Sequence, residues 1–140
     1  MHILSLYISL QLLFSYNLSG CKAIESDSCK SSYDSLTNQI VYTAVDELPE
    51  FPGGTRKALN FFSENFNYPK QDVFQGSFEL EFIVDSVGSV IGPRIRNKKK
   101  SEYTAAEIEL LRVLNIMPKW KPGKCKGKIV SVRIFFPIKL

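Results

Sequence analysis

From Ser77 to Asp85 the chain alternates. Phe78, Leu80, Phe82 and Val84 fall on one side, Ser77, Glu79, Glu81 and Asp85 on the other, and Ile83 is the one apolar exception. A period of two predicts a half-buried strand. Asp85-Ser86-Val87-Gly88-Ser89 reads as a hairpin turn, and Val90 to Asn97 returns as a second strand before the solvated corner Lys98-Lys99-Lys100. Two stretches change the period. Thr55 to Phe66 sets Ala58, Leu59, Phe62 and Phe66 on one helical face, with Gly54 or Thr55 as cap and Tyr68-Pro69 as terminator. Ser101 caps a second helix running to about Ile116. Its stripe is Ala106, Leu110, Val113, Leu114 and Met117, while Glu107, Glu109 and Arg112 face away and Pro118 stops it. Lys128 to Phe136 alternates again, with Val130, Val132, Ile134 and Phe136 inward. The expected fold is α+β, in the order α-β-β-α-β: two helices on one face of a three-stranded antiparallel sheet.

The N-terminal part has no such pattern. Lys22 to about Val41 is polar, carries five serines between Ser26 and Ser35, and reads as a flexible tether. Ile3 to Phe14 is largely apolar, shorter and more polar than the roughly 18 to 20 residues that span a bilayer. It reads as an export signal. It ends in Leu18-Ser19-Gly20-Cys21, which is similar to the bacterial lipobox; that resemblance makes Cys21 a lipidated first residue. Residues 1–20 are then signal, 21–44 the lipidated N-terminus and tether, and 45–140 the folded domain. The whole net charge of +4 lies after Gly20. A basic balance fits nucleic acid, acidic proteins or anionic headgroups. An exported chain does not meet the chromosome, so nucleic acid is set aside.

With Cys21 as anchor, Cys29 and Cys125 remain. Outside the cytoplasm they can pair, or both can stay free, with Cys125 between Lys124 and Lys126 biased toward thiolate. Catalytic chemistry is thin. The only histidine, His2, falls in the signal, and no Ser/His/Asp set, paired-Cys metal spacing or phosphate-cradling glycine loop occurs. No enzyme, metal or cofactor is expected.

The lone tryptophan stands in Met117-Pro118-Lys119-Trp120-Lys121-Pro122-Gly123-Lys124, followed by Gly127-Lys128. Upstream lie Leu48-Pro49-Glu50-Phe51-Pro52-Gly53-Gly54, Tyr68-Pro69, Gln75-Gly76 and Phe82-Ile83-Val84-Asp85 with Gly88; Pro137-Ile138 closes the set. In that order and spacing, residues 45 to 140 resemble the C-terminal domain of the TonB family. The resemblance implies a periplasmic module that captures an extended segment of an outer-membrane TonB-dependent transporter by strand addition.

With the last strand paired to the first, the sheet order is 2-1-3. Gly92-Pro93 interrupts strand two and blunts that edge, because proline lacks a ladder donor. Strand three is then the open edge, and Ile129, Ser131, Arg133 and Phe135 are the candidate partner-binding residues. Arg133 and Lys124, Lys126 and Lys128 would attract acidic plug residues. Phe135 suits a partner or a homodimer. Family members carry a transmembrane helix and a Pro-rich spacer; here a lipid and a short tether stand in their place, so the expectation is binding without energy transduction. They also carry a longer helical stretch between Tyr68-Pro69 and Gly76. The expected location is the periplasm, on the outer rather than the inner membrane. The alternative is a structural or regulatory envelope lipoprotein that binds peptidoglycan or another envelope protein through the same edge.

Overall fold

The computed structural model describes residues 28–70 and 76–139. The signal, Cys21, the start of the tether and Gln75 lie outside the described residues. The elements are β1 (Lys30–Asp34), β2 (Gln39–Ala44), α1 (Thr55–Asn65), β3 (Ser77–Val84), β4 (Val90–Ile95), α2 (Ala105–Asn115), β5 (Gly123–Cys125), β6 (Lys128–Val130) and β7 (Val132–Lys139). A single 3-10 turn, Lys100–Glu102, precedes α2.

The sheet departs from the expected one. It has five strands in the order β1-β2-β7-β3-β4, and a separate two-stranded ribbon pairs β5 with β6. β4, β3 and β7 are neighbours in it, but β2 and β1 continue the sheet past β7, so the expected three-stranded 2-1-3 sheet is overturned. The sheet is mixed, because β2 runs parallel to β7. Two strands come from the stretch read as a tether. Ile40-Val41-Tyr42-Thr43 is β-branched and aromatic, and the turn before it is held by Asp34, which accepts from the Thr37 N–H at 3.0 Å and hydroxyl at 2.7 Å.

The helix side follows the alternation. Phe78, Leu80, Phe82 and Val84 are buried with Ala58, Phe62 and Phe66 of the α1 region, and with Ala106, Leu110, Val113 and Leu114 of α2. Trp120 meets Phe51 and Phe82 edge-on, each at 5.5 Å between centroids. Leu59 is exposed rather than on the buried face, where Phe61 packs instead.

Ser101 does not cap α2. Thr104 does, in a reciprocal box with Glu107. That box and a 2.7 Å bond from Lys98 Nζ hold Glu107 buried, where an outward-facing residue was expected.

The far side of the sheet is covered as well. The turn of the β1–β2 hairpin reaches β4, where a Cβ on Gly92 would lie 2.6 Å from Thr37 Cγ2. Ile83, the apolar exception, is fully buried, as is Val41, and neither belongs to the helix-side core. Gly92-Pro93 does not interrupt β4. The strand carries a bulge there, pairing Arg94 with Glu81 and Ile91 with Ile83, so its edge is still blunted.

Candidate functional site: the outer side of β7

β7 is flanked on both sides, contrary to its expected place as the sheet edge. The edges are β1 and β4. Its two flanks are unequal, however. β3 pairs with β7 over its whole length, from Ser77↔Lys139 to Val84↔Val132, whereas β2 meets it only at Tyr42↔Val132.

The directions of the backbone groups follow from two bonds. Glu79 O accepts from Arg96 N at 2.9 Å, so Glu79 faces β4, and its partner Pro137 faces away from β3. Alternation turns Phe135 and Arg133 the same way. Tyr42 N donates to Ser131 O at 2.9 Å, in agreement. Beyond that bridge no strand or backbone bond reaches the outward N–H and C=O of Phe135 among the described residues. Pro137 offers only a carbonyl there. The open stretch is therefore short, centred on Phe135.

It is open because the chain after β2 is drawn elsewhere. Asp46 N and Glu47 N both donate to Lys124 O at 3.1 Å. Glu50 and Lys121 exchange bonds of 3.1 and 2.8 Å. Held by residues 121–124, the segment 46–50 stands off β7 and leaves a groove of about 370 Å³. Thr43 lies at its head. Leu48, Pro49 and Phe51 form one wall, Arg133 to Phe136 the other, with Ala58 and Trp120 between. The surface is mainly apolar. Leu48 is 70% exposed, a large side chain left in water at the rim. Trp120 Nε1 is buried and has no hydrogen-bond partner among the described residues.

The four expected edge residues separate. Phe135 lies at the open stretch, half exposed, with the Arg96 guanidinium 4.8 Å above its ring. Ile129 belongs to β6, in the other sheet. Ser131 is the link between β6 and β7; its carbonyl is taken by Tyr42 and its hydroxyl donates to Gln39 at 3.0 Å. Arg133 is spoken for. Its Nη2 donates to Asp34 Oδ1 at 2.8 Å, and its Nε lies 3.3 Å from Glu81 Oε1 without hydrogen-bond alignment. Arg94 Nη2 joins the same carboxylates at 2.7 and 2.9 Å. Two arginines thus face two carboxylates, and no net charge is left to draw an acidic partner. Burial pushes the Asp34 carboxyl up, but the bonds from Thr37 and Arg94 outweigh it and bring its pKa down to about 2. Lys124 is also engaged, 3.8 Å from Glu47.

The motif residues are mostly architectural. A Cβ on Gly88 would meet Trp120 O at 2.1 Å, and Trp120 N donates to Gly88 O at 2.8 Å, so the β3–β4 turn is fitted to the tryptophan backbone. Gly123 is buried against Val132, Pro118 follows α2 and Pro122 leads into β5. Lys126 and Gly127, with φ of 49° and 76°, make the two-residue turn of the β5–β6 ribbon. Gly76 precedes β3. Tyr68, 65% exposed, stands edge-on to Phe66, with Pro69 after it.

Cys29 and Cys125 form a disulfide, the pairing that sequence left open. Their sulfurs and Asp46 lie within 4.8 Å of one another, but the S–S bond withdraws both thiolates that a metal would need. Asp34, Thr43 and Leu48 were not anticipated; the hairpin composition of residues 34–43 was the available signal for the first two. Among the described residues no helix is long and apolar enough to cross a membrane. No family model, curated protein or solved structure matches this chain.

Proposed function

We propose that the chain is a cell-envelope binding module, lipid-anchored at Cys21, that holds an extended segment of a partner protein along the outer side of β7. Its motifs and their spacing, resembling the TonB C-terminal domain, favour an outer-membrane transporter as that partner. The module binds without transducing energy itself. One observation carries the reading: among the described residues, no strand lies beside the outward N–H and C=O of Phe135, next to an apolar groove that Leu48 and Phe51 wall.

The recruited strand is short. Two backbone bonds at Phe135 contribute about 1 kcal/mol each, and one large apolar side chain seated in the groove about 2 kcal/mol more. Binding is weak and reversible, and the groove sets its selectivity. Charge does not, since Arg133 is already neutralised.

The test is Phe135→Pro, which removes the outward donor and no bond to β3. With an unchanged melting temperature, this variant is expected to lose binding of TonB-box peptides in a calorimetric or NMR titration, while Phe135→Leu retains most of it. Equal binding by a folded Phe135→Pro protein would refute the reading.

A further inference from the structure

Two buried side-chain nitrogens among the described residues have no hydrogen bond, Trp120 Nε1 and Arg133 Nε. Both side chains line the same groove, the one between Phe135 and Leu48. The two are not alike. Arg133 already meets Asp34 at 2.8 Å through Nη2, and Glu81 lies 3.3 Å from its Nε. Trp120 has a single polar side-chain atom, a donor, and no acceptor meets it among the described residues. Its ring is held edge-on by Phe51 and Phe82, each at 5.5 Å between centroids, and the residue is 7% exposed. A donor so buried and so fixed is a standing cost to the fold, and an acceptor entering the groove removes it.

We infer that Trp120 selects the partner segment: its indole N–H donates to the carbonyl oxygen of an uncharged side chain, that of a glutamine, which the segment turns into the groove. This rests on the strand addition proposed at Phe135. The acceptor is a side chain because the backbone groups of an added strand lie in the plane of the sheet, toward β7 or away from it. Trp120 packs on the helix side, against Phe82. Only a side chain standing off that face reaches it. Its stem is apolar, since it passes Leu48 and Phe51. Its head is neutral. A carboxylate would lose its water there, and Arg133 is already matched by Asp34 and Glu81. The wall yields where it is least tied: Asp46, Glu47 and Glu50 are bonded to residues 121–124, and Leu48 between them is 70% exposed. A leucine in the same place fills the groove and leaves Nε1 unmet.

The chain has one tryptophan, so its indole N–H gives a single NMR signal. The experiment titrates the isotope-labelled protein with synthetic TonB-box peptides in which glutamine, and separately leucine, replaces one residue at a time. The Phe135 amide and the Trp120 indole N–H are followed together. At one position glutamine is expected to shift the Phe135 amide and to move the indole proton downfield; leucine at that position shifts the amide without the downfield move. In Trp120→Phe, with its fold checked by the amide spectrum, the glutamine-to-leucine affinity ratio at that position falls about tenfold. Should that variant not fold, the indole signal of the native chain decides alone. Peptides that shift the Phe135 amide while the indole proton stays in place at every glutamine position overturn the acceptor and keep the added strand. Peptides that move neither signal refute the added strand, and the acceptor with it.

Discussion

Asp34, at the turn end of β1, accepts a 2.8 Å hydrogen bond from Arg133 of β7, joining a strand near the start of the described chain to the one at its end. The same oxygen takes Arg94 of β4 at 2.7 Å. One carboxylate thus spans the sheet and holds the β1–β2 hairpin across its outer face. Asp34→Asn leaves two arginines sharing Glu81 alone. We expect a loss of about 2 kcal/mol in urea unfolding, and faster hydrogen exchange in β1 and β2 than in β3. Unchanged β1–β2 protection would show that the pair does not hold the hairpin.

Stability should fall at low pH by a definite route. The Asp34 pKa is lowered to about 2, with the Thr37 and Arg94 bonds overcoming burial. Glu109 is likewise brought down to about 2, chiefly by its bond from Arg112 and despite burial. Both folded values lie below the ordinary carboxylate range, so both groups stabilise the fold above about pH 4 and lose that contribution as pH falls toward 2. Thermal unfolding at pH 6, 4 and 2.5 is expected to show a steep drop only across the last interval, smaller in Asp34→Asn. A flat profile would contradict this.

Gly88→Ala puts a Cβ into the Trp120 carbonyl at a residue whose φ is +85°. The turn and the tryptophan segment must then separate. A loss of roughly 3 kcal/mol is expected, with red-shifted Trp120 emission as its ring leaves Phe51 and Phe82.

The disulfide spans 96 residues and ties the start of β1 to β5. Loss of so long a cross-link costs about 4 kcal/mol or less. Cys125→Ser or reduction should loosen β1 and β2 first, since β2 has a single bridge to β7, while amides of β3 and α2 keep most of their protection. Alkylation of Cys29 and Cys125 is expected only after reduction; labelling without it would deny the bond.

Sequence determined the helix-side half of this protein. Phe78, Leu80, Phe82 and Val84, and the stripe Ala106, Leu110, Val113 and Leu114, repeat at the periods of strand and helix, and burial against one another is a local consequence of that spacing. The other half depends on contacts between residues far apart in the chain. β1 and β2 carry mixed polar residues whose partners lie far along the chain: Asp34 finds Arg133, Cys29 finds Cys125, and Tyr42 finds Ser131. Such a segment shows no apolar period, because charge pairing and a covalent bond hold much of it in place. Ile83, apolar at an outward position, was the trace of that cover left in the sequence. Whether β7 was an edge depended on a strand outside residues 45–140, and β2 closes only one residue of it.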